Sequence, residues 1–261
     1  MGEQIIGMHD WLATPPGAYL LAWERAQMAA VVANVFGFHA LQLGLPELDA
    51  LETNRMPHRW LATETAHDKA AFLTEFSALP FPANSLDLVV LPHALELTAD
   101  PHAALREVHR VLVPDGRVVI CGFNPMSLWG LRQYRAHLYK RLGWNHLFLP
   151  DAGEFLNYLR IRDWLRLLGL EVESGEFGCY RPALDNAGLL DRFAWMDRLG
   201  ARWWPILGAV YCLVAVKRVR GMTLLNPAWK PSIRLANAPV SVAGRAGKST
   251  TTTQQSLQIE K

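Results

Sequence analysis

One segment of this 261-residue chain constrains the fold more than any other, because it contains signals for a strand, a helix, a turn and a second strand in succession. Residues 86–91 (Leu-Asp-Leu-Val-Val-Leu) form an almost unbroken apolar run, which is typical of a strand buried on both faces of a parallel sheet. Asp100 and Pro101 predict the N-cap and first position of a helix. Residues 114–116 (Pro-Asp-Gly) predict a turn in which Gly116 takes a positive φ. Residues 117–121 predict the second strand.

The predicted helix has one apolar face, formed by Leu105, Val108 and Leu112 at helical spacing. This face would pack the helix on the sheet. A strand, a right-handed crossover helix and a parallel strand make one unit of a doubly wound α/β sheet.

The same segment resembles the class I S-adenosylmethionine-dependent methyltransferase domain, contiguously over about residues 75–122. The matching elements are Leu79-Pro80-Phe81, Ser85-Leu86-Asp87, Leu95-Glu96, Asp100-Pro101 and the run from Arg110 to Gly116. The resemblance implies an α/β, Rossmann-like fold with helices on both faces of a seven-stranded, mostly parallel sheet and one late antiparallel strand. It also implies S-adenosylmethionine as the cofactor.

The cofactor loop of this family resembles Leu-Asp-x-Gly-x-Gly-x-Gly and matches residues 41–48 here. Gly44 retains the first glycine and is our candidate for cofactor binding at this loop. Gln42 replaces the acid, while Pro46 and Leu48 replace the later glycines. Pro46 removes a backbone donor and fixes φ, so the loop differs from the family pattern in shape as well as in sequence.

Three further cofactor positions follow from the resemblance. Glu64 ends a predicted strand over residues 59–64, about twenty residues beyond Gly44, where an acid accepts from ribose hydroxyls. Glu75 and Phe76 precede the Leu-Pro-Phe turn, where Glu75 could accept from the adenine amine and Phe76 could pack beside the ring. The alternatives are solvated glutamates and a core phenylalanine.

Pro92 and His93 follow the first buried strand, at the carboxyl end where doubly wound sheets bind their ligands. We predict that Pro92 contacts the cofactor. His93 is the candidate acid or base, because imidazole titrates near neutral pH. The alternative is a polar residue that caps the strand end. Many methyltransferases need no strong base, since the sulfonium mainly requires an aligned nucleophile.

A helical insertion is predicted over about residues 124–160, after the second strand of the segment. Insertions at this place often shape the acceptor pocket in the family, so Asn124 and Trp129 are the substrate-side candidates. The insertion is basic and aromatic. That composition fits a membrane surface, a nucleic acid or a lid that packs on the body.

The sequence predicts a helical cap (1–36), a methyltransferase-like domain (37–218) and a basic tail (219–261) that we expect to be disordered. Predicted elements outside the first segment are helices over 11–34, 161–169 and 185–204, and strands over 40–43, 170–180 and 208–216.

Composition excludes several other classes. The net charge of +2 gives no argument for nucleic acid. Cys121, Cys179 and Cys212 lie far apart in the sequence, which indicates a reducing compartment. The nine histidines show no metal-binding spacing, so we predict no metal. The amino terminus lacks a signal-peptide pattern and no apolar run reaches membrane-spanning length, so a cytoplasmic location is expected.

The favoured function is methyl transfer from S-adenosylmethionine to an unidentified small-molecule acceptor. The alternative is a catalytically inactive, methyltransferase-like binding or regulatory protein, which the altered loop favours. A nicotinamide-dependent dehydrogenase lacks support, because no GxGxxG follows the first strand. Methylation of DNA amino groups lacks support too, because residues 91–93 (Leu-Pro-His) do not match the expected Asn/Asp-Pro-Pro-Tyr/Phe element.

Overall fold

The computed structural model describes residues 7–140, 148–149 and 155–218. In chain order the elements are α1 (Met8–Leu12), α2 (Pro15–Val32), β1 (His39–Leu43), β2 (His58–Thr63), β3 (Phe72–Leu73), β4 (Leu86–Pro92), α3 (Ala94–Leu97), α4 (Pro101–Val111), β5 (Leu112–Phe123), α5 (Leu128–Lys140), α6 (Tyr158–Leu167), β6 (Leu170–Gly178), α7 (Ala187–Arg192), α8 (Trp195–Trp203), a 3₁₀ turn (Pro205–Leu207) and β7 (Val210–Lys217).

The strands form one seven-stranded sheet of order β3-β2-β1-β4-β5-β7-β6. Strand β7 runs antiparallel to both of its neighbours, whereas β3, β2, β1, β4 and β5 pair in parallel. The predicted fold class and its single late antiparallel strand are confirmed.

Both faces of the sheet are covered, as the apolar run in β4 predicts. Leu88 and Val90 lie in the core beneath α2, and Val89 and Leu91 lie in the opposite core beneath α4 and α6. Because successive side chains of a strand point to opposite faces, a strand between two helical layers needs apolar residues at every position.

Polar residues of the family-like segment brace the sheet connections. Asp87 Oδ2 accepts from the backbone N–H groups at the start of β1, at 2.8 and 2.9 Å. Glu107 Oε1 accepts from Leu79 N at 3.0 Å, and Arg110 donates to the carbonyls of Leu79 and Phe81 at 3.2 and 2.8 Å. Asp100 Oδ1 accepts from Ala103 N at 2.9 Å, which confirms the predicted N-cap. These side chains hold the fold and do not touch the predicted cofactor positions.

Several predicted boundaries were wrong. The helix over 11–34 is split into α1 and α2, since Pro15 disfavours helical geometry at Thr14, which instead caps α2 by accepting from Gly17 N. The helix over 185–204 is split into α7 and α8.

The predicted turn after α4 also differs in detail. Leu112 begins β5 instead of ending the helix, because proline at 114 cannot continue one. Asp115 takes the positive φ (62°) that was predicted for Gly116. The pairing of β5 with β4 shifts register between Leu86 and Leu88, which accommodates these turn residues within the strand.

The connections that follow β1 and β2 contain no helix: residues 44–57 and 64–71 form turns and bends. None of the described helices combines the length and apolarity needed to cross a membrane. The predicted tail (219–261) lies outside the described residues, as does part of the predicted insertion.

Candidate functional site

The candidate site lies where the parallel strands end. Gly44, Glu64 and His93 follow β1, β2 and β4 directly, and these three strands are neighbours in the sheet. Open α/β sheets bind their ligands at this carboxyl edge. The sequence predicts that these three residues lie at the carboxyl edge of the sheet, and in the structure they do.

Gln42 closes the loop after β1 on itself. The two N–H groups of its buried Nε2 are shared among the carbonyls of Gly44, Leu45 and Leu48 at 3.1, 3.0 and 2.6 Å, and its Oε1 accepts from Ala50 N at 2.9 Å. A carboxylate at this position could not donate to three carbonyls. The glutamine that replaces the family's acid is therefore a structural clamp.

Gly44 takes the left-handed φ (78°) that glycine favours. A Cβ at this position would lie 3.6 Å from Phe76 Cζ and 3.6 Å from Ala94 Cβ. The Phe76 side chain is buried. The Phe76 ring therefore lies near Gly44 and leaves room for a group of methyl size between them.

Glu64 and Phe76 meet, while Glu75 does not join them. Glu64 Oε1 accepts from Phe76 N at 3.2 Å and from the Thr98 hydroxyl at 3.4 Å. Glu64 remains exposed at the end of β2, and Glu75 is exposed beside it. An exposed carboxylate at the end of β2 suits ribose hydroxyls.

His93 lies at the centre of a buried cluster with two glutamates. It has a left-handed backbone (φ 53°) directly after β4, before α3 begins. Nδ1 lies 2.7 Å from Glu96 Oε2, and Nε2 lies 2.8 Å from Glu24 Oε1 on α2. Glu96 Oε1 accepts from Phe123 N at 2.6 Å. The cluster joins the ends of β4 and β5 to α2.

The glutamates determine the charge of His93. Burial acts to lower the pKa of His93, but the carboxylates of Glu24 and Glu96 outweigh it and raise the pKa from 6.5 to about 10. Burial also raises the pKa of Glu96. At neutral pH the imidazole is therefore protonated and both ring nitrogens donate. An imidazolium cannot accept a proton, so a base role for His93 requires this cluster to rearrange and stays a prediction.

Only one of the two carboxylate oxygens of Glu24 has a hydrogen-bond partner among the described residues. The side chain is fully buried, and its Oε2 has no hydrogen-bond donor within the described part of the chain. Sequence reasoning missed Glu24, although a glutamate amid the apolar positions of α2 was a visible signal. Sequence reasoning also missed Glu96, which lies within the family-like segment.

Pro92 and the substrate-side candidates are buried. Pro92 is the last residue of β4. Asn124 donates to the carbonyls of Ile206 and Gly208 at 2.7 and 2.9 Å, which fixes the turn before β7. Trp129 donates from Nε1 to the carbonyl of Arg181 at 2.8 Å. Both side chains therefore have structural partners, and their contact with a substrate stays a prediction.

Two carboxylates lie near this edge. Glu64 is exposed at the end of β2, whereas Oε2 of Glu24 is a buried acceptor without a donor in the described part of the chain. Among the described residues, no group of His, Cys, Asp or Glu is arranged to hold a metal ion.

Comparison with known proteins gives the family. A model of the methyltransferase domain matches residues 48–120. The uncharacterized protein YafS of Escherichia coli (strain K12) is 32% identical over 240 residues, which is 90% of this chain and 92% of that protein. A demethylmenaquinone methyltransferase of Mycolicibacterium paratuberculosis is 30% identical over 144 residues, covering 54% of each chain. This chain belongs to the class I S-adenosylmethionine-dependent methyltransferase family.

Solved structures agree with this family at the level of the fold. A putative methyltransferase in complex with the Haloferax volcanii Trm112 activator has a TM-score of 0.53 and 19% identity, covering 83% of this chain and 98% of that one. A possible histamine N-methyltransferase of Thermotoga maritima has a TM-score of 0.53 and 14% identity, and the match covers 77% of this chain and 93% of that one.

Proposed function

We propose that this protein transfers a methyl group from S-adenosylmethionine to a small-molecule acceptor, at the carboxyl edge of β1, β2 and β4. Family membership supports the reaction class. The observation that carries the proposal for this chain is the unpaired Oε2 of Glu24, because a buried acceptor without a donor is costly and calls for a partner.

S-adenosylmethionine suits that atom because it bears an ammonium and a sulfonium, and the sulfonium supplies an electrophilic methyl group. Glu24 would pair with positive charge, and Glu64 would accept from the ribose hydroxyls. His93, held between Glu24 and Glu96, would fix the position of Glu24 through its 2.8 Å contact.

Isothermal titration with S-adenosylmethionine and S-adenosylhomocysteine tests this proposal. We expect micromolar binding by the wild type and roughly tenfold weaker binding for both Glu24→Gln and Glu64→Ala, since a charge-assisted hydrogen bond is worth about 1.5–3 kcal/mol. Asp163→Asn, an exposed position on α6, is the matched control and should bind as the wild type does. A folded protein that binds neither ligand at millimolar concentration would exclude this function.

A second candidate function is a catalytically inactive, methyltransferase-like binding or regulatory protein. The loop held by Gln42 favours it, since this loop differs from the family's glycine loop in sequence and in its hydrogen bonds. The same titration separates the two candidates. The cytoplasmic location stays an expectation, and it plays no part in either proposal.

A further inference from the structure

An apolar surface lies on α8 and the turn that follows it. Trp195, Leu199 and Trp203 recur at every fourth residue and so share one face of α8. Trp195 and Trp203 are 54% and 71% exposed. Ile206, in the following 3₁₀ turn, is 62% exposed. Large apolar side chains on a common face of a helix normally turn inward, so their exposure needs a reason.

Exposed apolar side chains are also present on α5, next to Leu207 of the same turn. Leu128, Leu131 and Tyr134 are exposed on that helix. Together with Met126 and Leu207 they line a groove of about 710 Å³, which joins α5 to the turn before β7. Eight exposed apolar or aromatic residues of α5, α8 and this turn are together called the apolar patch: Leu128, Leu131, Tyr134, Trp195, Leu199, Trp203, Ile206 and Leu207.

Positive charge borders the apolar patch. Arg198 and Arg202 are exposed on α8, one turn apart, and neither forms an ion pair with a described residue. The acid of the same helix, Asp197, is directed at the body of the protein, where it accepts from Tyr180 N at 3.2 Å and from Arg181 Nε at 2.9 Å. The sequence of α5 contains no acid. The outward face therefore combines tryptophan and aliphatic side chains with unpaired arginines.

We propose that the apolar patch docks on the surface of an anionic phospholipid bilayer. Tryptophan is suited to the interface between headgroups and acyl chains, and arginine extends its charge toward anionic headgroups while its stem stays in apolar surroundings. The charge complementarity favours an anionic lipid surface over a second copy of this chain, which would bring like-charged arginines together.

Docking in this way orients the candidate site toward the bilayer. Asn124 follows β5 at the carboxyl edge of the sheet and hydrogen bonds to the carbonyl of Ile206 within the apolar patch. The patch is thus tied to the same edge as the candidate site. Binding to lipid is measured without cofactor or acceptor, so its outcome is independent of methyl transfer.

Vesicle flotation with the full chain tests this proposal. The probes are vesicles of phosphatidylcholine alone and vesicles of phosphatidylcholine with phosphatidylglycerol. We expect binding to the anionic vesicles, weakened by added salt because screening reduces attraction between exposed charges. Trp203→Ser with Ile206→Ser should lower the partition coefficient at least about tenfold, which corresponds to about 1.4 kcal/mol. Arg198→Ala with Arg202→Ala should remove the preference for anionic lipid.

Leu167→Ser is the matched control, because Leu167 is 85% exposed on α6, outside the apolar patch, and its loss should leave flotation unchanged. Thermal melts should show that the exposed substitutions leave folding intact. Absence of wild-type binding to anionic vesicles at low salt would overturn the proposal. So would equal binding by the Trp203→Ser, Ile206→Ser variant, or light scattering that shows a dimer for the wild type and a monomer for this variant.

Discussion

The buried cluster of Glu24, His93 and Glu96 predicts how stability depends on pH. In the folded protein the pKa of His93 is raised to about 10. In the unfolded chain we take its pKa to be the ordinary value of histidine, 6.5. A raised pKa means that the folded state holds a proton that the unfolded state releases. The stabilisation is fully present below pH 6.5 and is lost as the pH rises toward 10.

The expected slope of unfolding free energy against pH corresponds to the one proton that His93 releases on unfolding. Between the two pKa values the free energy of unfolding should fall by about 1.4 kcal/mol for each pH unit. From about pH 7 to about pH 8.5 the loss is therefore roughly 2 kcal/mol. This window stays below the ordinary pKa of cysteine, 9.0, so that the ionisation of cysteine in the unfolded chain contributes less to the slope than His93 does.

Urea unfolding at a series of pH values measures the slope. Glu24→Gln keeps the shape of the side chain but removes one of the two charges that hold the proton on His93. The variant should therefore show a clearly shallower slope over the same window. Asp163→Asn should retain the wild-type slope. A wild-type free energy of unfolding that is constant or rises over this window, or an unchanged slope in Glu24→Gln, would refute the reasoning.

Three further predictions concern the frame around the site. Gln42→Glu replaces the donor that faces three carbonyls with an acceptor, and should cost about 2–3 kcal/mol in urea unfolding; an unchanged midpoint would contradict the clamp. Arg110→Ala removes both bonds to the Leu-Pro-Phe turn and should lower stability by about 1–2 kcal/mol, whereas a neutral result in thermal melts would show that the brace is dispensable. Gly122→Ala puts a Cβ 2.6 Å from the Tyr211 hydroxyl and should lower the free energy of unfolding by about 1–3 kcal/mol. Gly7→Ala is the control, because a Cβ there has no atom within 4 Å and should leave stability unchanged. Equal melting temperatures of the two variants would show that the contact with Tyr211 does not crowd the core.

Much of the fold could be predicted because its signals are local. The apolar run of β4 predicts a strand between two helical layers, and Asp100 with Pro101 marks the start of α4. The errors at Leu112 and Gly116 arose where a proline-containing turn lies inside a strand, because the pairing partner decides which residue bulges. Local pattern alone does not contain that information.

The site was predictable only as an edge of the sheet. Gly44 and Glu64 were placed correctly by the ends of their strands, but the Glu24–His93 contact spans 69 positions and leaves no spacing pattern. The role of Gln42 was hidden for another reason. A glutamine in place of an acid indicates a lost ligand contact, and only the three bonded carbonyls identify it as a clamp.

The ring of Phe76 offers the sharpest distinction between the two candidate functions. If Phe76 packs beside a bound adenine, Phe76→Leu should weaken binding of S-adenosylhomocysteine. If the ring instead blocks the site by its contact with Gly44, the same substitution should strengthen binding or create it, because leucine keeps the core apolar while removing the ring atoms that face Gly44. Titration of the wild type and this variant measures the sign, with a thermal melt as the folding control. Equal affinity in both proteins would show that Phe76 is a core residue without a part in cofactor binding.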